Sequence, residues 1–148
     1  MNDRSSSDLA ELVRRTFDAQ GFMRLVGAKG EFVERGKVTL GVDRRDELLQ
    51  QHGFFHGGVV ALLIDNATGA AAATVQRGEG QGVLTAEYKI NFVSPGVGDR
   101  LSRTAEVVKP GRRMTVVEAK VHAYSGGMAK LVAVALATIA NVEVPDKI

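Results

Sequence analysis

One segment of this chain is apolar on nearly every side and yet carries an acidic residue at its centre. Residues 57–75, GGVVALLIDNATGAAAATV, contain Asp65 and no other charged residue. A helix that is apolar all round must be buried in a protein or in a membrane. A charged residue at the centre of an inserted helix costs roughly 2.5–3.5 kcal/mol, which argues against the membrane. We therefore predict a buried helix in a globular protein, with no membrane partner.

The rest of the chain must supply the layer that covers this helix. A length of 148 residues gives room for one domain, predicted over residues 1–148, with a helix and tail over 1–20 and a polar tail over 143–148. Lys and Arg number 19 against 17 Asp and Glu, which leaves a net charge of only +2. This charge balance lacks the basic patch that nucleic-acid binding requires, so we expect no nucleic-acid partner.

Cysteine is absent from the sequence, which excludes disulfides, thiolate nucleophiles and Cys-ligated zinc. Residues 1–8 are polar and lack the apolar stretch of a signal peptide. Together these features lead us to expect a cytoplasmic protein. The histidines, His52, His56 and His122, show no metal-ligand spacing, so we expect no metal and no redox cofactor.

Hydrophobic periodicity predicts the remaining elements. Residues 8–19 have the spacing of an amphipathic helix, with Asp8 and Glu11 as a capping pair. Residues 22–28 and 32–42 are predicted to be strands on either side of a turn.

Four further strands are predicted over residues 83–94, 99–108, 114–125 and 128–142. In the first, strict alternation places Leu84, Ala86, Tyr88, Ile90 and Phe92 on one face and Thr85 on the other. The last is apolar on both faces and is predicted to be a central strand covered on both sides. Pro110-Gly111 is typical of a type II turn, and Gly126-Gly127 suits a two-residue hairpin. The predicted class is α+β, a long antiparallel sheet around one buried helix.

Two features of the central helix could carry chemistry. Burying Asp65 is costly unless the carboxylate is partnered or functional. The structural alternatives are a narrow solvent-exposed stripe or a bond to a neighbouring hydroxyl such as that of Thr68. At the helix start, the free N–H groups of His56-Gly57-Gly58 could bind an oxyanion, or the segment could be a plain junction capped by His56.

The spacing of these two features has a consequence for assembly. Gly57 and Asp65 are eight residues apart, or roughly 12 Å along a helix. One carbonyl carbon cannot lie within reach of both in the same chain. If both act on one substrate, Asp65 must work with Gly57 of a second protomer, which predicts a homodimer with two shared sites.

The pattern formed by His56-Gly57-Gly58, Ile64-Asp65, Gly69 and Ala71 resembles the hotdog-fold thioesterases of the phenylacetate-degradation (PaaI-like) type. The likeness continues in LTAEYKINFVSP at 84–95 and KPGRR at 109–113, and it covers roughly residues 35 to 142. It implies a hotdog fold, in which a five- or six-stranded antiparallel sheet wraps around one long helix. It also implies dimers or dimers of dimers that hydrolyse acyl-CoA thioesters.

The resemblance implies a role for each matching residue. Asp65 would be the general base or the nucleophile, and the Gly57 N–H of the facing subunit would polarise the thioester carbonyl. His56 would shape that pocket, and Thr85 would position the water. Gln50 stands where many relatives have Asn, in a position that holds the water or the carbonyl.

Gly58 and the basic residues Lys109, Arg112 and Arg113 are the candidates for binding the substrate and its CoA phosphates. CoA enters only as part of the substrate. For the basic residues, a solvated turn is the alternative interpretation.

Two other functions remain open. Gln50 in place of Asn is compatible with a non-catalytic acyl-CoA binding or sensing protein. An enoyl-thioester hydratase or dehydratase of the same fold is the weaker alternative, because its motif residues differ. The outer sheet face, with Thr39, Glu87, Glu118 and His122, must meet either water or a second dimer, which makes a homotetramer plausible.

Overall fold

The long central helix is surrounded by a sheet on which most of its side chains pack. A computed structural model describes residues 4–76 and 80–144. The helices are α1 (Ser6–Ala19), α2 (Gly21–Val26) and α3 (Gly57–Thr74), and a short 3₁₀ turn spans Asp46–Leu48. The strands are β1 (Lys29–Glu34), β2 (Lys37–Asp43), β3 (Gln81–Phe92), β4 (Arg100–Lys109), β5 (Met114–Ser125) and β6 (Met128–Glu143). They form one antiparallel sheet in the order β1-β2-β4-β5-β6-β3 around α3, which confirms the predicted α+β hotdog architecture.

Helix α3 is long and apolar enough to cross a membrane, but half of it is buried inside the protein. Val60, Ile64, Ala67 and Ala71 are among its residues with almost no exposed surface. A narrow stripe is only half-buried, and it consists of Ala61, Asp65, Asn66, Gly69 and Ala73. The aspartate therefore lies on the one flank of the helix that the sheet leaves partly open.

The N-terminal segment departs from the prediction in two ways. Helix α1 begins earlier than expected, because Ser5 is the N-cap and forms a capping box with Asp8. Glu11 is not part of the cap, as was predicted, but forms an ion pair with Arg14. Residues 22–28 are not a strand but mostly the short helix α2, which ends at Gly27 in the left-handed conformation. Met23 and Val26 are buried three residues apart, which is the spacing of one helix face and not of one strand face.

The predicted single strand over 32–42 is also wrong. It is two antiparallel strands, β1 and β2, joined by a turn at Gly36 with φ of +79°. The second predicted glycine turn is confirmed, since Gly126 and Gly127 both adopt positive φ between β5 and β6.

A β-bulge in β3 overturns the predicted alternation of that strand. Thr85 pairs with Ile139 and Glu87 with Thr138, so Ala86 is an extra residue with no partner. Residues directly opposite each other share a face, and Ile139 lies on the buried face. The bulge therefore puts Thr85 on the same face as Tyr88, and Leu84 on the outer face.

Strand β6 lies next to the edge rather than at the centre of the sheet. Its inner face is buried, but on the outer face Leu136 is exposed and Val134 and Thr138 are half-buried. The prediction of a strand covered on both sides is therefore wrong for the single protomer.

Helix α1 closes the open side of the wrapped sheet. It packs on β1 through Phe17, whose ring reaches Gly30, and it shares a cleft with α3 and with β3. Strands β1 and β3 are the two edges of the sheet, so α1 bridges the gap between them.

Candidate active site

Among residues 4–76 and 80–144, the carboxylate of Asp65 has one side-chain hydrogen-bond partner. The Thr85 hydroxyl donates a hydrogen bond of 2.7 Å to Asp65 Oδ1. The bulge at Ala86 makes this contact possible, because without it the predicted alternation would turn Thr85 away from α3. The Thr68 hydroxyl donates instead to the backbone carbonyls of Ile64 and Asp65, at 2.8 and 3.1 Å, so it is not a partner of the carboxylate.

Asp65 and Thr85 lie in a cleft of about 310 Å³ between α1, α3 and β3. The apolar part of its wall consists of Leu12, Val13, Phe17, Gly69, Ala70, Ala73, Val83 and Leu84. Of the described residues that line the cleft, Asp65 is the sole one with an ionisable side chain, and the remaining polar groups are neutral. A narrow, mainly apolar pocket with one carboxylate suits an apolar ligand that presents a single polar centre.

At the start of α3, the histidine acts as a cap and leaves one N–H group available. His56 is the N-cap, and its Nδ1 accepts a hydrogen bond of 2.9 Å from the Gly58 N–H. The Gly57 N–H makes no hydrogen bond within the described residues. This leaves the Gly57 N–H, at the positive end of the helix dipole, as a donor for a ligand oxygen.

Gln50 and Gly57 lie together in a second cavity of about 440 Å³, which Phe92 also lines. The Gln50 side-chain carbonyl accepts a hydrogen bond from the His52 N–H, and its amide NH₂ has no hydrogen-bond partner within the described residues. None of the residues lining this cavity belongs to the Asp65 cleft. Within one protomer the candidate residues therefore form two separate groups, Asp65 with Thr85 and Gly57 with Gln50.

The predicted basic turn lies at the far end of α3 from Gly57. Lys109, Arg112 and Arg113 are exposed, and Arg112 lines a cavity of about 570 Å³ beside Val75 at the C-terminal end of the helix. An 18-residue helix is about 27 Å long, so this turn is remote from Gly57 of its own chain.

The conformation of the basic turn is held by a residue that the sequence analysis missed. The Asn141 amide donates to the carbonyls of Gly111 and Arg112 at 2.9 and 3.1 Å. The position of the polar Asn141 within the apolar run of β6 could have indicated this role from the sequence. The predicted type II turn is wrong, because Gly111 does not adopt positive φ. Glycine is needed there because an added Cβ would lie 2.3 Å from the Met114 carbonyl oxygen.

A second missed residue is Arg103, whose side chain is completely buried. Its cross-strand partners, Leu40 and Val121, are also fully buried, so the side chain enters the core beneath α3. No nitrogen of the guanidinium has a hydrogen-bond partner within the described residues. Burial lowers the pKa of Arg103 to about 9, and the Asp65 carboxylate partly opposes that lowering.

Residues 4–76 and 80–144 contain no group of three or more histidine, aspartate or glutamate side chains that could hold a metal ion. The site that can be described is thus made of a carboxylate, a hydroxyl, an amide and a free backbone N–H.

Comparisons with known proteins show which proteins this chain resembles in sequence and in fold. Residues 52–130 match the thioesterase superfamily. A protein of Saccharolobus solfataricus named "Putative esterase" is 32% identical over 134 residues, covering 90% of this chain and 83% of the relative. Human acyl-coenzyme A thioesterase 13 is 30% identical over 112 residues, covering 74% and 78%. The crystal structure of a thioesterase family protein from Silicibacter pomeroyi superposes with a TM-score of 0.88 at 38% identity, covering 92% and 99%.

Proposed function

The chain belongs to the thioesterase superfamily, and from this premise we propose that it hydrolyses acyl-CoA thioesters with Asp65 as the general base. The observation that supports the proposal is the Asp65–Thr85 hydrogen bond at the wall of an apolar cleft. The carboxylate can accept a proton from water, and the hydroxyl beside it can hold that water in place. Relatives named as acyl-CoA thioesterases suggest the substrate class.

In the proposed reaction, Asp65 accepts a proton from water as the water oxygen bonds to the thioester carbonyl carbon. The negative charge that develops on the carbonyl oxygen is stabilised by the Gly57 N–H of a second protomer. The tetrahedral intermediate then re-forms its C=O bond and breaks the C–S bond. The proton held by Asp65 passes to the departing sulfur, which gives the carboxylic acid and CoA.

We propose that the second protomer pairs along β3, one of the two edge strands of the sheet. Leu84, Tyr88 and Phe92 on this strand are 64%, 40% and 57% exposed, which is unusual for apolar side chains on a long unpaired edge. Pairing of two β3 strands across a two-fold axis would run the two α3 helices antiparallel. Each Asp65 would then face the Gly57–Gln50 cavity of the other chain.

The same arrangement accounts for the two ends of the substrate. The acyl group lies in the apolar cleft beside Asp65. The basic turn at the C-terminal end of one α3 comes near the N-terminal end of the other, where Arg112 and Arg113 can meet CoA phosphates. We also propose that the chain is of the PaaI-like type, on its His56-Gly57-Gly58 and Asp65 pattern. For a dimer of dimers, the surface we propose is the partly exposed outer face of β6.

The proposed base is tested by Asp65→Asn, with Asp43→Asn as the control because Asp43 is exposed and does not line the cleft. CoA release from a panel of acyl- and aryl-CoA esters is measured for each protein. We expect kcat to fall about 10²- to 10⁴-fold in Asp65→Asn and to stay unchanged in the control. Equal hydrolysis by both variants would refute the role of Asp65, and tight binding without turnover by the wild type would indicate a binding protein.

The shared site is tested by mixing two inactive variants. Gly57→Pro removes the N–H at the first helical position, where proline is tolerated, and the extended φ and ψ of His56 suit a residue before proline. Gly57→Ala keeps the N–H and is the control. After refolding an equimolar mixture of Gly57→Pro and Asp65→Asn, about half of the dimers are mixed, and each has one intact site. Recovery of about a quarter of wild-type activity is expected, and no recovery would refute the two-subunit site.

A further inference from the structure

The cleft beside Asp65 has two walls that come from different parts of the chain. Helix α3 and strand β3 form the wall that carries the carboxylate, and helix α1 forms the other. Helix α1 packs on β1 and α2 but has few contacts with α3, so the cleft of about 310 Å³ separates the two helices. A group the size of a water molecule occupies about 30 Å³ of liquid, so the cleft has room for roughly ten methylene-sized groups.

Two small residues follow Asp65 along the α3 wall. Gly69 and Ala73 line the cleft one and two helical turns beyond the carboxylate, about 6 and 12 Å along the helix axis. Residues at four-residue intervals lie on one face of a helix, so the two follow the carboxylate in a line. An extended acyl chain whose carbonyl carbon lies beside Asp65 would therefore pass Gly69 after about five carbon–carbon bonds and Ala73 after about ten.

The local structure of α3 does not explain the glycine at position 69. Glycine in a helix interior is less stable than alanine, because it loses more conformational freedom on folding. Gly69 does not have positive φ. Within the described residues, an added Cβ would meet only the Val83 side chain, at an ordinary contact distance of 3.9 Å. Alanine would therefore fit the protomer and favour the helix, and what glycine retains is space in the cleft.

The α1 wall offers the cleft no charged group. Leu12, Thr16 and Gln20 recur at four-residue intervals along this wall, beside the buried Val13 and Phe17 that hold the helix on the protein. The Thr16 hydroxyl donates its hydrogen to the Leu12 carbonyl at 2.9 Å, so it has none to offer a ligand. Thr16 is exposed, so a larger side chain at this position can narrow the cleft without displacing the core.

We propose that this cleft limits the length of the acyl group, with Gly69 and Ala73 as the residues that set the limit and α1 as the second wall. The inference rests on the proposed hydrolysis of acyl-CoA thioesters at Asp65. It assigns to the chain aliphatic or aromatic acyl groups of up to about ten carbon atoms. Each methylene buried in the cleft should raise kcat/KM about fourfold, the equivalent of about 0.8 kcal/mol, and methylenes beyond the limit should add nothing.

The length limit is tested with straight-chain esters from acetyl- to palmitoyl-CoA. The variants are Gly69→Leu and Ala73→Leu, with Ala19→Leu as the control because Ala19 is exposed and does not line the cleft. We expect kcat/KM of the wild type and the control to rise up to about decanoyl-CoA and then to level off. In Gly69→Leu the rise should stop near hexanoyl-CoA. Its kcat/KM for decanoyl-CoA should fall about 100-fold or more, with less than a twofold change for butyryl-CoA. Ala73→Leu should stop the rise near octanoyl-CoA.

Two further variants keep the proposal open to refutation if Gly69→Leu does not fold. Thr16→Leu, which narrows the cleft from the α1 wall, should lower kcat/KM for decanoyl-CoA and not for butyryl-CoA. Gly69→Ala should leave the oligomeric state unchanged and the melting temperature at or above that of the wild type. Dissociation of Gly69→Ala would show that the glycine serves assembly, and an equal loss for both esters in Gly69→Leu or Thr16→Leu would show that the cleft does not select for length. Either result would overturn the proposal.

A binding measurement separates this proposal from the proposed function. Alkyl-CoA thioethers lack the carbonyl group and cannot be hydrolysed, and their Kd is measured by calorimetry. The Kd should fall about fourfold for each methylene up to about a decyl group in the wild type, and only up to about a hexyl group in Gly69→Leu. If the wild type hydrolyses no thioester, the proposed function fails and this series still tests the cleft. The same dependence on chain length in both proteins would overturn the length limit.

Discussion

Replacement of Arg103 by methionine is expected to stabilise this protein. Burial lowers the pKa of the guanidinium from its ordinary value above 12 to about 9. A difference of about 3 to 3.5, at 1.36 kcal/mol for each pH unit, corresponds to about 4–5 kcal/mol of unfavourable burial at neutral pH. Methionine fills a similar volume without a charge. Relaxation of the structure lowers the gain to about 2–4 kcal/mol.

The sign of the pH dependence follows from the direction of this shift. The unfolded chain binds the proton on Arg103 up to above pH 12, whereas the folded chain releases it near pH 9. Between these values the unfolded state binds more protons, so the wild-type free energy of unfolding gains a contribution that rises with pH. Below about pH 9 both states bind the proton, so the free-energy cost of burying the charged guanidinium is at its full value and does not change with pH. The advantage of Arg103→Met over the wild type should therefore shrink as the pH is raised from 8 to 10.5.

The assay is urea denaturation followed by circular dichroism, at one fixed protein concentration because association contributes to stability. With an m value of about 1–3 kcal/mol/M, the midpoint of Arg103→Met should exceed that of the wild type by about 1–2 M at pH 8. Arg100→Met is the matched control. Its side chain is partly exposed and ion-paired with Glu31, so its loss should cost no more than about 1 kcal/mol. A midpoint for Arg103→Met at or below the wild-type value would refute the reasoning.

Three further substitutions test other parts of the structure. Thr85→Val removes a hydrogen bond to a charged group, worth about 1.5–3 kcal/mol, so kcat should fall about 10- to 100-fold. Thr85→Ser keeps the hydroxyl and should retain activity, and equal rates for the two variants would contradict this role. Asn141→Leu frees the basic turn, so KM for CoA esters should rise several-fold with kcat little changed, and an unchanged KM would separate this turn from CoA binding. Gly111→Ala should lower the melting temperature by several degrees, because its Cβ would meet the Met114 carbonyl, and an unchanged melting temperature would show that the turn adjusts freely.

The elements with long, regular patterns were predictable from the sequence. Helix α3 and the four long strands have enough residues for periodicity to separate helix from strand. Helix α2 has only six residues, and so short a run fits both periods. Its buried pair, Met23 and Val26, shows the helical interval only once the packing is known.

The site was predictable only in part. The spacing of Gly57 and Asp65 predicted that they are apart, and the structure places them in different cavities. The face of Thr85 was not predictable, because Ala86 fits a regular alternation and nothing in the residue itself indicates a bulge. Arg103 could have been found, since it occupies the inward position between Leu101 and Ala105 in an otherwise regular strand.

The position of β6 between β5 and β3 has a consequence for how the chain folds as it is synthesised. Strand β3 has no partner in the sheet until residues 128–143 have left the ribosome, so the nascent chain carries an incompletely covered apolar helix and an unpaired strand. Such non-local pairing is slow and leaves surface for chaperones to bind. Thr85 is fixed in the sheet opposite Ile139 only after this strand has docked. The last strand described therefore sets the moment during synthesis at which the site first exists.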